Sequence, residues 1–391
     1  MMKNLFRNLM LFTTSALSLA VNAGSATTGD YVHYSFPIAA VATIENANQP
    51  TLESSKTLWR QVSGKQLKQG VALYNHGAQP LVLLSHHSKS SSTDVIDVKQ
   101  LILKDKQGIA VKSQMVSEQA LRETGFFSRS AAVMTEDKAA RGPLTLQSNQ
   151  PFADEQLFVM TVKDKYSPVS LDVFAPHQQV KTTQPHLAKV SMKLFARQKL
   201  SLNKHAASVE AILHAPDGER IQLEVAQGPQ EMTILPPKIN QPLPPRQGLY
   251  DIEVKLNATY GGHILQRNVK VAVAIPTMTA SLTRYTMLPD QPAAANITLL
   301  AREPARYEVR AVLYGYNRAG KQVAIMEGHA AQMLNSGERD IIIPFDLSKL
   351  GEQTFVGPYA VGNVRLYDQD QLALLDESAK RTITKRPLSL R

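Results

Sequence analysis

The sequence predicts a mainly β protein: an N-terminal β-sandwich-like domain with a short helix, followed by two immunoglobulin-like β-sandwich modules. Three observations predict it. Short runs of Val, Ile, Leu, Thr and Tyr alternate with polar residues and are broken by Gly, Pro, Asn and Asp throughout the chain. Val209, Ala211 and Leu213 recur as Val309, Ala311 and Leu313, each 100 residues on. Behind each copy stands a Gly-x-Tyr element, Gly248-Leu249-Tyr250 in one and Gly357-Pro358-Tyr359 in the other. A repeat of about 100 residues matches the size of one immunoglobulin-like sandwich.

The chain opens on a targeting signal. Lys3 and Arg7 form a basic start, Leu9 to Val21 is an apolar run of 13 residues, and Val21-Asn22-Ala23 is a small-residue cleavage site. A spanning helix needs about 20 apolar residues, so residues 1–23 are expected to be a cleaved secretory signal peptide. Its removal leaves 368 of 391 residues and lowers the net charge from +10 to +8. The mature protein is expected to be exported, to the periplasm or beyond, and to have no transmembrane segment.

Composition removes several classes of chemistry. The absence of cysteine excludes disulfides, thiolate metal sites and a cysteine nucleophile. Each module must then be held by its apolar core. The basic charge is scattered, and with export this argues against nucleic acid as a partner. Lys380, Arg381, Lys385, Arg386 and Arg391 make a solvated basic tail.

Taken in order, the first domain spans residues 24–184. Gln69–Tyr74 and Pro80–Leu84 read as a hairpin, Gln100–Lys104 and Ile109–Val111 as a second, Phe158–Lys163 and Val169–Phe174 as a third. Ser117 caps a short helix that closes at Gly125. Ser128–Gln150 reads as an irregular excursion. Thr182–Pro185 is the first linker, a middle module covers 185–276, and the last module, with its basic tail, covers 277–391. Pro229, Pro236, Pro237, Pro242, Pro244 and Pro245 mark an extended crossing loop in the middle module. Tyr250 and Tyr359 are expected to begin equivalent strands, with buried rings and hydroxyls that cap the crossing loop; Gly248 and Gly357 ease the turn into the strand.

Ser55-Lys56-Thr57-Leu58-Trp59-Arg60-Gln61-Val62-Ser63-Gly64, with Leu67, Gly70 and the two tyrosine elements, resembles a family of exported gammaproteobacterial proteins with no assigned function. The resemblance covers nearly the whole mature chain and implies the same architecture. It makes Trp59 a structural landmark and supplies no catalytic residues.

Candidate chemistry is sparse. His86 and His87 are adjacent at a strand end, where neighbouring side chains point to opposite faces and poorly share one ion. With His76 they are the weak catalytic candidates of the first domain. Asp368 and Asp370 sit two apart near a turn, a weak calcium pair without further acidic ligands; a hairpin turn accounts for them. Neither a Gly-x-Ser-x-Gly elbow nor a phosphate loop occurs. The expected function is recognition of a protein or glycan by a monomer without cofactors. A hydrolase with its site in the first domain, and a periplasmic chaperone that exchanges an edge strand, are the alternatives.

Overall fold

The computed structural model describes residues 31–38, 50–88, 94–125, 127, 129–136, 141–176, 179–180, 186–237, 246–288, 293–351 and 355–383. Residues 1–23, read as a signal peptide, the expected linker 182–185, and Pro242, Pro244, Pro245, Lys385, Arg386 and Arg391 lie outside them. The structure is mainly β and sandwich-like. It divides into two compact units, one holding the described residues of Thr43–Met278 with Gln369–Leu375, the other those of Met1–Ala42, Thr279–Asp368 and Asp376–Arg391.

In the first unit, the N-terminal sandwich faces a five-stranded sheet against a three-stranded one. The larger sheet runs Thr57–Ser63, Leu157–Lys163, Leu81–His86, Ser130–Thr135 and Ser113–Val116; the smaller runs Val71–Asn75, Gly142–Ser148 and Leu101–Lys104. Alternation builds both. In Leu157–Lys163 the even positions Phe158, Met160 and Val162 are buried and their neighbours are not, the pattern of a strand with one face on a core. Phe158 meets Phe152 at 4.5 Å between ring centroids, tilted by 53°. The helix α1 (Gly64–Gln69) is closed by a capping box between Ser63 and Gln66, a motif legible at that spacing. The expected short helix is α2 (Glu118–Arg122), with the Ser117 hydroxyl accepting from the Ala120 amide.

Three local expectations need correction. Val71–Asn75 and Leu81–His86 do not pair as a hairpin; they belong to the two facing sheets, so the intervening turn crosses the core instead of folding back in one layer. Ser130–Thr135 and Gly142–Ser148 are regular strands inside the region read as an irregular excursion. Leu157–Lys163 and Val169–Ala175 also part company. The second pairs with Ala188–Leu194 and belongs to the core of the middle module. The change of core therefore falls between Lys163 and Val169, ahead of the Thr182–Pro185 segment. Periodicity shows that both are strands but carries no information about which sheet receives them.

The middle module packs Val169–Ala175, Ala188–Leu194 and Met232–Ile234 against Arg220–Leu223, Ser208–His214, Tyr250–Tyr260 and His263–Val273. Thr51–Ser55 extends the first of these sheets by pairing with Val169–Ala175. The two longest strands join at Gly261–Gly262, with φ of 60° and 79°. Positive φ at both central residues is what a tight two-residue hairpin demands.

The second unit repeats this plan. Ala280–Met287, Ala294–Ala301 and Gly337–Pro344 form one sheet, while Gln322–Leu334, Ala305–Tyr316 and Val356–Asp368, with Thr382–Ile383 beside the last, belong to the other. The 100-residue offset is structural: Val209 pairs with Leu256 and Leu213 with Ile252, as Val309 pairs with Leu366 and Leu313 with Val361. One residue is extra between Val361 and Leu366, taken up in a bulge where Asn363 adopts φ 48°. Val32–Pro37 adds an outer strand, pairing with Met326–Ala331. Part of the nominal first domain thus completes the sheet of the last module.

Tyr250 and Tyr359 occupy equivalent places, each two residues before the partner of Leu213 or Leu313, and are 2% and 8% exposed. Their hydroxyls differ from expectation. Tyr250 finds no hydrogen-bond partner among the described residues and lies under the Arg246 guanidinium; Tyr359 donates to the Phe355 carbonyl at 3.3 Å. Gly248 takes φ 98°, whereas Gly357 lies within its strand and outside the left-handed region. The stronger cap is Tyr307, fully buried, whose hydroxyl donates to the carbonyls of Glu303 at 2.7 Å and Thr279 at 3.0 Å. Tyr307→Phe should therefore cost about 1 kcal/mol through the lost bonds and Tyr250→Phe nearly nothing. Urea midpoints of the two variants check the contrast.

A cleft lined by Trp59 and a buried ion pair

The long hairpin Tyr250–Val273 is the element that positions the candidate site. Its second arm carries Leu265, Val269, Val271 and Val273 into the core of the middle module. Arg267 shares their parity, and so a guanidinium occupies a core-facing place with only 3% of the residue exposed. It survives there because Asp164, itself 1% exposed, lies 3.1 Å from Nη2; Ser167 Oγ accepts from the same nitrogen at 2.9 Å and the Gln266 carbonyl from Nη1 at 2.8 Å. Burial still pulls the Arg267 pKa below its ordinary value, with Asp164 opposing. Asp164 also accepts from the His76 amide at 3.0 Å. A side chain at Gly77 would collide with this carboxylate and with the Ser167 backbone.

Above the pair opens a cleft of about 450 Å³. One wall comes from the strand Thr57–Ser63, with Trp59 and Arg60, and from His87. The other comes from His214, Arg220, Glu253, Lys255, Asn257 and the segment Gln266–Asn268. The Trp59 amide donates to Asn268 Oδ1 at 3.2 Å, which holds the walls in register. His214 Nε2 is 2.6 Å from Glu253 Oε2, a dyad set diagonally across paired strands. Lys255 lies 3.7 Å from Glu210 and 4.0 Å from Glu253. Gln266 donates to Asn257 Oδ1 at 2.8 Å.

The histidines singled out in the sequence do not converge. His86 is buried, its ring 5.2 Å from that of Phe158, while His87 reaches the cleft wall, as opposite faces of a strand require. His76 packs beside Tyr74 and Tyr260 with Nε2 2.9 Å from the Ile264 carbonyl. Asp368 is buried and accepts from the Thr279 hydroxyl at 2.7 Å. Asp370 lies in the turn after Val356–Asp368, and its carbonyl accepts the Gly248 amide at 2.7 Å. No group of three or more metal-ligating side chains occurs among the described residues. Arg267, Asp164, Asn268, His214 and Glu253 went unnoticed in the sequence. A charge at a core parity in an otherwise apolar strand was the available signal for Arg267; the others have none, since their partners lie 39 to 209 residues away.

Fold and cleft together define a multi-module β-sandwich protein with a polar groove beside its single tryptophan. Residues 24–164 match the family model described as the N-terminal domain of a domain of unknown function, DUF4785, and residues 279–386 match that of its C-terminal domain. The chain belongs to this family. A crystal structure of a DUF4785 family protein from Legionella pneumophila is similar over 92% of this chain and 94% of that one, at 18% identity and a TM-score of 0.62, which shows a shared fold. A tetra-tandem repeat from the extending region of a large adhesion protein covers 86% of this chain and 74% of its own at 10% identity. Titin domains A168–A170 cover 87% and 100% at 11% identity. Both have a TM-score of 0.20. Among curated proteins none matches. No described helix is long and apolar enough to cross a membrane.

Two predictions follow from this geometry. Asp164→Ala, which strands a buried guanidinium, should destabilise the protein by about 3–5 kcal/mol, and Asp164→Leu with Arg267→Met should regain most of the loss; urea midpoints measure both. The second concerns pH. Burial lowers the pKa of His76 and of His86 below the ordinary 6.5, so the unfolded chain binds protons that the folded one resists. Their contribution is complete above pH 6.5 and is lost as pH falls through 6.5 toward the lowered folded values. Stability should drop between pH 8 and pH 5, and His76→Gln with His86→Gln should flatten the slope.

Proposed function

We propose that this is an exported recognition protein, a monomer in which two immunoglobulin-like modules carry an N-terminal sandwich, and that it binds a glycan or protein segment in the Trp59 cleft. The observation that carries the reading is the cleft itself: a solvent-open groove with an aromatic side chain, amides and charges, the mixture that ligand sites use for orientation. A second reading, hydrolysis, draws on the His214–Glu253 dyad, a histidine oriented by a carboxylate. It differs from the first-domain hydrolase suggested by His76, His86 and His87, because the dyad sits on the middle module.

Glycan and protein arrays probed with residues 24–391 test the proposal. Binding should weaken at least about tenfold in Trp59→Ala, measured below the variant's own thermal midpoint, where circular dichroism shows it folded. Ligands indifferent to Trp59→Ala would remove the cleft from the function. Turnover of a bound ligand that His214→Asn abolishes would make the protein a hydrolase. Mass spectrometry of the exported chain should find its N-terminus at Gly24; an intact N-terminus would overturn the export reading.

A further inference from the structure

The cleft has a charge pattern that narrows its ligand. Arg60, Arg220, Lys255 and Arg267 line it with one carboxylate, Glu253, already engaged by His214 at 2.6 Å; Arg267 is matched by Asp164 and Lys255 by Glu210, which leaves Arg60 and Arg220 as the cations of the wall without an ion pair among the described residues. Arg220 is exposed and makes no ion pair among the described residues. Arg60 gives one guanidinium nitrogen to the Ala72 carbonyl, but its Nε, like that of Arg267, is buried without an acceptor among the described residues. Guanidinium groups match planar carboxylates better than neutral hydroxyls do. Trp59 supplies an aromatic surface for the apolar face of a sugar ring, and Asn257 and Asn268 supply amides for hydroxyls.

Resting on the proposed function above, we infer that the cleft binds an acidic glycan, with a uronate carboxylate held by the arginine-rich wall and the sugar ring against Trp59. Lys255 and the rim Arg220 add a positive field that draws the anion in and fades with salt.

The test is calorimetric titration of the mature protein with an oligogalacturonate and with its methyl ester, which keeps the size and removes the charge. The acid should bind at least about tenfold more tightly than the ester, and increasingly weakly as NaCl rises from 50 to 500 mM. Arg220→Glu, at an exposed site, should lower affinity for the acid by a similar factor and leave the ester and the thermal midpoint unchanged. Trp59→Ala should weaken both. Equal, salt-independent binding of acid and ester that Trp59→Ala removes would overturn the inference and leave the cleft reading standing. So would failure of both oligosaccharides alongside an array ligand that depends on Trp59. Indifference of every ligand to Trp59→Ala would sink both together.

Discussion

The ion pair between Arg267 and Asp164 is the constraint around which the first unit is arranged. Neither charge would remain in an apolar interior alone, because each desolvation costs several kcal/mol. Together, with Ser167 and the Gln266 carbonyl accepting from the two terminal guanidinium nitrogens, they are tolerated, and the arm His263–Val273 is held where Asp164 ends the strand Leu157–Lys163. The same carboxylate holds the His76 amide, and the adjacent Asn268 holds the Trp59 amide. A misplaced arm would break all of these contacts at once. The pair thus ties the placement of this arm to the end of the strand Leu157–Lys163, beside the cleft that carries the proposed function.

The two later sandwiches solve one folding problem twice. In both, a central pair of strands places Val209 against Leu256, or Val309 against Leu366, and Tyr250 or Tyr359 at the start of the second strand. They differ in detail. The bulge at Asn363 lengthens one copy by a residue, and that copy has a second hydrogen-bonded tyrosine, Tyr307, beside the repeated Tyr359. Each sandwich is also extended by a strand from the N-terminal part of the chain, Thr51–Ser55 in the middle module and Val32–Pro37 in the last. An added strand satisfies a row of backbone donors and acceptors that an open edge would leave exposed.

Local chemistry made much of this legible. Alternation identified the strands, Ser117 and Gly125 bracketed a real helix, and the repeat with its two tyrosines is reproduced in register because the residues that set it are near neighbours in strand pairing. The adjacent histidines also part as a strand's period of two requires. These features depend on spacing along the chain, and spacing is what a sequence contains.

Sheet membership was settled only by the tertiary structure. Val71–Asn75 and Leu81–His86 look like a hairpin and are in different layers. Val169–Ala175 looks like the end of one domain and is the first strand of the next, and Val32–Pro37 completes a sheet some 300 residues away. An apolar alternation states that one face must be buried without naming the surface that buries it. The sequence by itself determined the β architecture, the repeat and the absence of thiol chemistry. The tertiary structure decided the partners, and with them Arg267–Asp164, the His214–Glu253 dyad and the cleft, because each joins residues whose proximity exists only after the sheets have packed.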